Sequence, residues 1–204
     1  PYHGWRYNRS GNLLPNLSVG SNSPICLASK DLSVRRGFVT TSEPENIEEL
    51  KNAFEFIGTN FSKPPFHFES LTHTANWKWL VENVTEAYHL DFVHKNTFVK
   101  KGFLMSDKIV NTKSGSSSSA YLPHNKSSRI FYKHAYVWPN LFMSNTSDLI
   151  NFCSILLPHS DATTELIWFL FSSDKLDAYP KDLANQLMRQ SIEFTRTALH
   201  EDKA

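Results

Sequence analysis

Cysteine is nearly missing from this 204-residue chain: Cys26 and Cys153 are the only two. They form neither a close metal-binding motif nor a disulfide framework, and each reads as a small buried hydrophobe. A reducing, cytoplasmic setting is the expectation. Long apolar runs are missing too. Leu166-Ile167-Trp168-Phe169-Leu170-Phe171 is among the longest, far short of the ~20 residues that span a bilayer. There is no secretory leader pattern and no membrane partner is expected. Charge of one sign is also lacking. Lys and Arg number 21 against 20 Asp and Glu, for a net charge of +1, which gives nucleic acid no basic footprint. The opening Pro1-Tyr2-His3-Gly4-Trp5 has no initiator methionine and reads as the cut edge of something longer, so a fragment is expected.

What the chain has in plenty is aromatic side chains: 15 Phe, 7 Tyr and 5 Trp. They can fill a core or line an apolar pocket. Residues 1–42 carry short strand-like runs around Ser10-Gly11-Asn12, and Gly37 to Thr40 reads as a strand. From Ser42-Glu43-Pro44-Glu45 the pattern turns helical, with Leu50, Phe54 and Ile57 on one stripe. Pro64-Pro65 marks a linker and Phe66 to Ser70 a strand. The tract Thr112 to Ser119 is polar and repetitive, which predicts a loop. Four runs, 129–138, 140–144, 149–157 and 164–172, are rich in β-branched and aromatic residues and predict consecutive antiparallel strands. Asp177 or Tyr179 near the cap and Pro180 in the first turn predict a final helix bearing Leu183, Leu187, Phe194 and Ala198. The order is that of an α+β fold, with helices against an antiparallel sheet.

The chemistry concentrates in Asn76 to His94. Trp77, Leu80, Val81 and Val84 form an apolar helical stripe. Glu86 and His89, three apart, share a face of that helix. His89 and His94 are five apart, about 140° out of alignment on an ideal helix. Both rings can reach one ion only if the helix ends or bulges between them. Two neutral imidazoles plus one carboxylate from elsewhere in the chain leave half of an octahedron open, the arrangement non-haem Fe(II) uses for dioxygen. Asn83 and Tyr88 flank this pair in sequence and read either as side chains that orient it or as packing or surface residues. His67, His73, His124, His134, His159 and His200 fit no ligand position and read as surface or hydrogen-bonded side chains. Phe142, Phe152, Trp168 and Phe171 lie on expected strands, as pocket walls or core. Lys100-Lys101 reads as a solvated pair.

Glu86-x-x-His89-x-x-x-x-His94, preceded by Asn76-Trp77-Lys78 and Glu82-Asn83, resembles the iron-binding signature of the large subunits of Rieske non-haem iron oxygenases. Pro1-Tyr2-His3-Gly4-Trp5, with Tyr7, Gly11 and Leu13, is similar to the second half of that family's Rieske motif, Cys-x-x-His-Gly-Trp. Trp138-Pro139-Asn140-Leu141 resembles a Pro-Asn of its catalytic sheet. Leu199-His200-Glu201-Asp202-Lys203 resembles the late Glu-Asp that completes its iron site.

The resemblance implies a helix-grip catalytic domain over 43–204, an antiparallel sheet around a long C-terminal helix, preceded at 1–42 by a remnant of the Rieske 2Fe-2S domain. It implies that His89, His94 and Asp202 hold a mononuclear iron, with Glu201, Asp177 and Asp174 as alternatives to Asp202. His3 would be one of two histidine ligands of the Rieske cluster, where His replaces Cys on one iron and raises the potential. Three of the four cluster ligands are not in this chain. Glu86 would be the acid that bridges a Rieske histidine of one subunit to an iron-ligand histidine of its neighbour in a trimer. Most members have Asp there; Glu appears in some, including members acting on quaternary amines.

The implied activity is that of a terminal oxygenase component, an oxidoreductase using O2 and electrons from an NAD(P)H-dependent reductase or ferredoxin. It would hydroxylate, dihydroxylate or oxidatively demethylate a small organic substrate, the outcome depending on where the pocket places the target carbon. Two other readings of the same residues are a metal-free helix-grip ligand carrier and a hydrolytic zinc site on His89 and His94. Neither accounts for the Pro1–Trp5 opening.

Overall fold

The computed structural model describes residues 5–14, 26–41, 44–58, 61–86, 89–101, 109–111, 117–121 and 132–203. The chain divides into two units, Pro1–Arg35 with Val39–Ser42, and Arg36–Phe38 with Glu43–Ala204.

The first unit holds isolated bridges and a hairpin. Tyr7 pairs with Leu13 and Asn12 with Cys26 around a turn at Gly11, whose φ is 78°. Strand β1 (Leu32–Arg35) pairs with β2 (Phe38–Thr41). Cys26 is exposed, contrary to the expectation of burial. In the second unit Gly37 has φ 96°, and a Cβ placed on it would lie 2.3 Å from the carbonyl oxygen of Phe61, so only glycine fits.

The second unit is built on α1 (Pro44–Ile57), β3 (His67–His73), α2 (Trp77–Thr85), α3 (Leu90–Val93), β4 (Ile109–Asn111), β5 (Ser117–Tyr121), β6 (Tyr132–Val137), β7 (Leu141–Thr146), β8 (Ile150–Ser160), β9 (Thr163–Ser172), α4 (Asp174–Asp177) and α5 (Lys181–Glu201). The seven strands form one antiparallel sheet in the order β3-β9-β8-β7-β6-β5-β4. The expected α+β layout and its four-strand meander are present. Ser117 to Ser119, read from sequence as part of a loop, are instead paired with Tyr136, Ala135 and His134. Small polar residues are poor strand formers, yet the neighbouring strand supplies the hydrogen bonds that hold them.

Register alternation divides the strands between two faces. Ala135, Met143, Cys153 and Phe169 stand side by side across β6 to β9, and so do Tyr136, Phe142, Ser154 and Trp168 on the opposite face. The first face packs on α1, whose Leu50, Ala53, Phe54 and Ile57 join Phe61 and Phe171 in one buried cluster. Phe61 meets Phe171 edge-on at 5.1 Å and Phe38 at 5.3 Å, the arrangement aromatic quadrupoles favour. The other face packs on α2 and α5 through Leu80, Val81, Val84, Leu187, Met188, Ile192 and Leu199. Arg196 of α5 donates to Glu69 of β3 over 2.8 Å, pinning the helix to the sheet edge. With both faces covered, the strands alternate between two apolar environments rather than apolar and polar ones.

The Pro-Asn turn after β6 is held by hydrogen bonds. Tyr136 Oη donates to the Pro139 carbonyl over 2.7 Å, and Asn140 Nδ2 donates to the Leu156 carbonyl over 2.8 Å. This locks the β6–β7 connection onto β8. At the last helix Pro180 takes the N-cap position, while Asp177 ends the separate short α4. Among the described residues no helix is long and apolar enough to cross a membrane.

Candidate metal centre

Helix α2 starts at Asn76, whose side chain accepts from the Lys78 backbone N–H. It stops earlier than the sequence pattern predicts. Glu86 is already extended, at φ −101° and ψ 162°, so Glu86 and His89 do not share a helix face. Instead His89 caps the start of α3 and His94 its end. His94 leaves α3 at φ −87°, ψ 47°, and a π-type turn follows over Lys95–Val99. The break that the five-residue spacing demands is present, and it places both histidines at the ends of a four-residue helix.

Packing then brings this segment to α5. Leu90, Phe98 and Ala198 form a small buried cluster with Tyr132 and Phe194 against it. Phe98 lies 5.2 Å from Phe194 and 5.3 Å from the His94 ring. Ala198 is one helical turn before Asp202, so the same face that buries Ala198 presents Asp202 to the histidines. Asp202 is the C-cap of α5.

His89, His94 and Asp202 each offer a ligand atom within 4.8 Å of the others. His94 Nε2 is 3.1 Å and His89 Nε2 3.9 Å from Asp202 Oδ1, the separations expected of donors ~2.1 Å from one shared ion. Both rings turn the opposite nitrogen to a carboxylate. His89 Nδ1 meets Glu86 and His94 Nδ1 lies 3.2 Å from Glu201 Oε2. A carboxylate accepts, so a proton on each Nδ1 satisfies Glu86 and Glu201 and leaves each Nε2 turned toward Asp202. At 3.1 Å His94 Nε2 and Asp202 Oδ1 either share a proton or hold a cation between them. Two imidazole nitrogens and a carboxylate oxygen this close together fit a divalent metal.

The electrostatics agree. Burial would push the His94 imidazole down, but the hydrogen bonds and charges of Asp202 and Glu201 override it and hold its pKa above the ordinary value. Burial would push the Asp202 carboxyl up, but His94, Asn83 and His89 hold it below the ordinary value. Asn83 Nδ2 donates to Asp202 Oδ1 over 2.9 Å. Of the other acids weighed for this place, Asp174 and Asp177 pair with Lys63, and Glu201 faces the wrong nitrogen of His94. His3, Ala87, Tyr88 and His124 lie outside the described residues.

A cavity of about 100 Å3 opens beside Asp202. Its walls are Leu80 and Val84 of α2, Leu199 of α5, and Phe142, Phe152, Leu156 and Leu166 of the sheet. Two histidines that sequence reasoning took for surface or hydrogen-bonded residues stand in this wall. His134 is 7% exposed, stacks on Phe142 at 5.9 Å, and is pushed down to about 4 by burial. His73 is 3% exposed, its Nε2 has no hydrogen-bond partner among the described residues, and burial lowers its pKa. The signal for His134 was available: it alternates with Tyr132 and Tyr136 along β6, on the face that Phe142 shares. Trp168 and Phe171 belong to the two cores.

A family model for the catalytic domain of ring hydroxylating alpha subunits matches residues 65–204. This chain belongs to the ring-hydroxylating alpha subunit family. Membership implies non-haem iron and a Rieske cluster. No curated protein sequence matches the chain. Among solved structures, the quaternary ammonium Rieske monooxygenase CntA in complex with an inhibitor is 16% identical at TM-score 0.66, covering 100% of this chain and 59% of that one. Naphthalene 1,2-dioxygenase from Rhodococcus sp. bound to indole is also 16% identical at TM-score 0.59, covering 85% and 54%. The NdmA QL mutant of Pseudomonas putida CBB5 with caffeine is 19% identical at TM-score 0.52, covering 100% and 60%. At these identities the likeness establishes the fold. The chain spans less than two thirds of the length of these solved relatives.

Proposed function

We propose that the whole protein is the terminal oxygenase of a Rieske system, in which His89, His94 and Asp202 hold one ferrous ion. The observation that carries this reading is the convergence of the three ligand atoms within 4.8 Å, each histidine backed by a carboxylate on its far nitrogen. Ferrous iron in a two-histidine, one-carboxylate site supplies open positions for dioxygen chemistry beside substrate. The chain's own residues do the rest. Glu86 orients His89, Asn83 fixes the carboxylate, and the apolar cavity keeps bulk water from the reacting carbon.

Glu86 is the proposed electron-transfer bridge. Its side chain is 24% exposed, against 11% for Glu201, and besides His89 Nδ1 it accepts the His89 backbone N–H. A carboxylate has acceptor positions to spare for a second imidazole N–H brought by a neighbouring subunit. In this reading residues 1–42 are the end of the Rieske domain, His3 is a cluster ligand, and 43–204 form the catalytic domain of a cytoplasmic homotrimer fed by an NAD(P)H reductase or ferredoxin.

The cavity wall favours a small, mostly apolar organic substrate. Among the described residues that line it, Asp202 is the one acid, and in this reading it is committed to the metal, so a cationic substrate meets no other carboxylate among them. Two neutral imidazoles suit a carbonyl, ether or hydroxyl oxygen instead.

Oxygen uptake by the full-length enzyme, with iron, a reductase and a panel of neutral and cationic substrates, tests this. The reading requires substrate-dependent uptake with an oxygenated or demethylated product. Iron-free protein that binds ligand without consuming O2 would make it a carrier. Zinc-dependent hydrolysis would make it a hydrolase.

A further inference from the structure

The two ligand histidines are not held alike. Glu86 leans on one histidine from a partly exposed position. Glu201 is less exposed, and among the described residues its side-chain hydrogen bonds all go to the segment that carries His94. Its Oε1 accepts the Asn96 backbone N–H over 2.8 Å, and its Oε2 accepts the Thr97 hydroxyl over 2.6 Å. The same Oε2 lies 3.2 Å from His94 Nδ1. Three donors within four residues therefore meet one carboxylate at the end of α5. The adjacent Asp202 points to the other nitrogen of the same imidazole. Consecutive residues at a helix end diverge by about 100°, so the two acids clasp the His94 ring from both sides.

We propose that Glu201 is the positioning residue of the metal site, setting the tautomer and orientation of His94 and closing the His94–Val99 turn onto α5. The inference rests on the reading of His89, His94 and Asp202 as metal ligands, and adds a role for an acid that touches neither metal nor substrate. The chemistry is that of a carboxylate–histidine–metal relay. A carboxylate on Nδ1–H raises the basicity of Nε2 and removes the ring's freedom to rotate. The backbone N–H of Asn96 and the Thr97 hydroxyl hold the carboxylate in turn, so its position does not depend on the metal.

Cobalt(II) titration of the metal-depleted full-length protein tests this, reading affinity and the visible ligand-field spectrum. Glu201→Ala is expected to weaken cobalt binding by about 10- to 100-fold and to change the band shape. Glu201→Gln keeps an acceptor for His94 N–H and is expected to recover part of both. Thr97→Val, which removes one support of the carboxylate, is expected to fall between Gln and wild type. A folded Glu201→Ala protein with wild-type affinity and spectrum would overturn the proposal, since a merely structural role would lower thermal stability alone. If the alanine variant does not fold, wild-type affinity and spectrum in Glu201→Gln overturn it equally. His94→Ala separates the two levels. Loss of binding there with none in the Glu201 variants sinks only this inference, whereas retained binding in His94→Ala sinks the metal site itself.

Discussion

Asn83 Nδ2 donates to Asp202 Oδ1 over 2.9 Å, and that same oxygen lies 3.1 Å from His94 Nε2. One atom of a helix-capping aspartate thus joins α2, α5 and the turn after α3. The proposed metal site is also the place where three elements of the fold are fastened together.

Replacing Asn83 with Ala removes the donor and leaves Asp202 free to turn. The expected result is a folded protein whose metal affinity falls by about 10-fold and whose metal-free form loses about 1.5–3 kcal/mol, the worth of a hydrogen bond to a charged group. Metal titration and denaturant unfolding measure both. Unchanged affinity would mean that Asn83 only packs.

Glu86→Gln separates electron transfer from iron binding. Gln retains an oxygen for His89 Nδ1–H, so iron loading is expected to persist. It lacks the charge and second acceptor that a bridging carboxylate offers. Turnover of the full-length enzyme with reductase is therefore expected to fall steeply while iron content holds. Normal turnover would remove the bridging role.

The His94–Asp202 pair also makes a prediction about pH in the metal-free protein. His94 is raised, so its contribution is present below its unfolded value near 6.5 and is lost as pH rises through the folded value. Asp202 is lowered, so its contribution is present above its unfolded value near 3.9 and is lost as pH falls through the folded value. Stability from the pair is thus greatest between those limits. Metal competes with the proton on His94, so affinity rises with pH. Melting curves from pH 4 to 8 are expected to show the maximum in metal-free wild type and to lose it in Asp202→Asn. An Asp202→Asn protein with the same profile would assign the effect elsewhere.

Much of this was legible in the chain, for reasons that differ by element. The stripe of Leu50, Phe54 and Ile57 predicts α1 because one helical face is enough to bury it. The meander was readable because its β-branched and aromatic runs are separated by turns. The five-residue gap between His89 and His94 required a helix break, and the break is there. What failed was nonlocal. Ser117 to Ser119 join the sheet because β6 offers partners. His73 and His134 become cavity walls through strand register and the helices above them. Which nitrogen of His94 is faced by Glu201 and which by Asp202 could not be read from two adjacent acids before the helix end is placed against that ring. Cys26 and Cys153 have the same composition signal but opposite burial.

The most direct test is the iron content of the full-length protein and of its His89→Ala, His94→Ala and Asp202→Ala variants, measured with their thermal stability. The account predicts one mononuclear iron per chain beyond the Rieske cluster in the wild type, and none in folded variants of each of the three. Full mononuclear iron in any one of them would contradict the site.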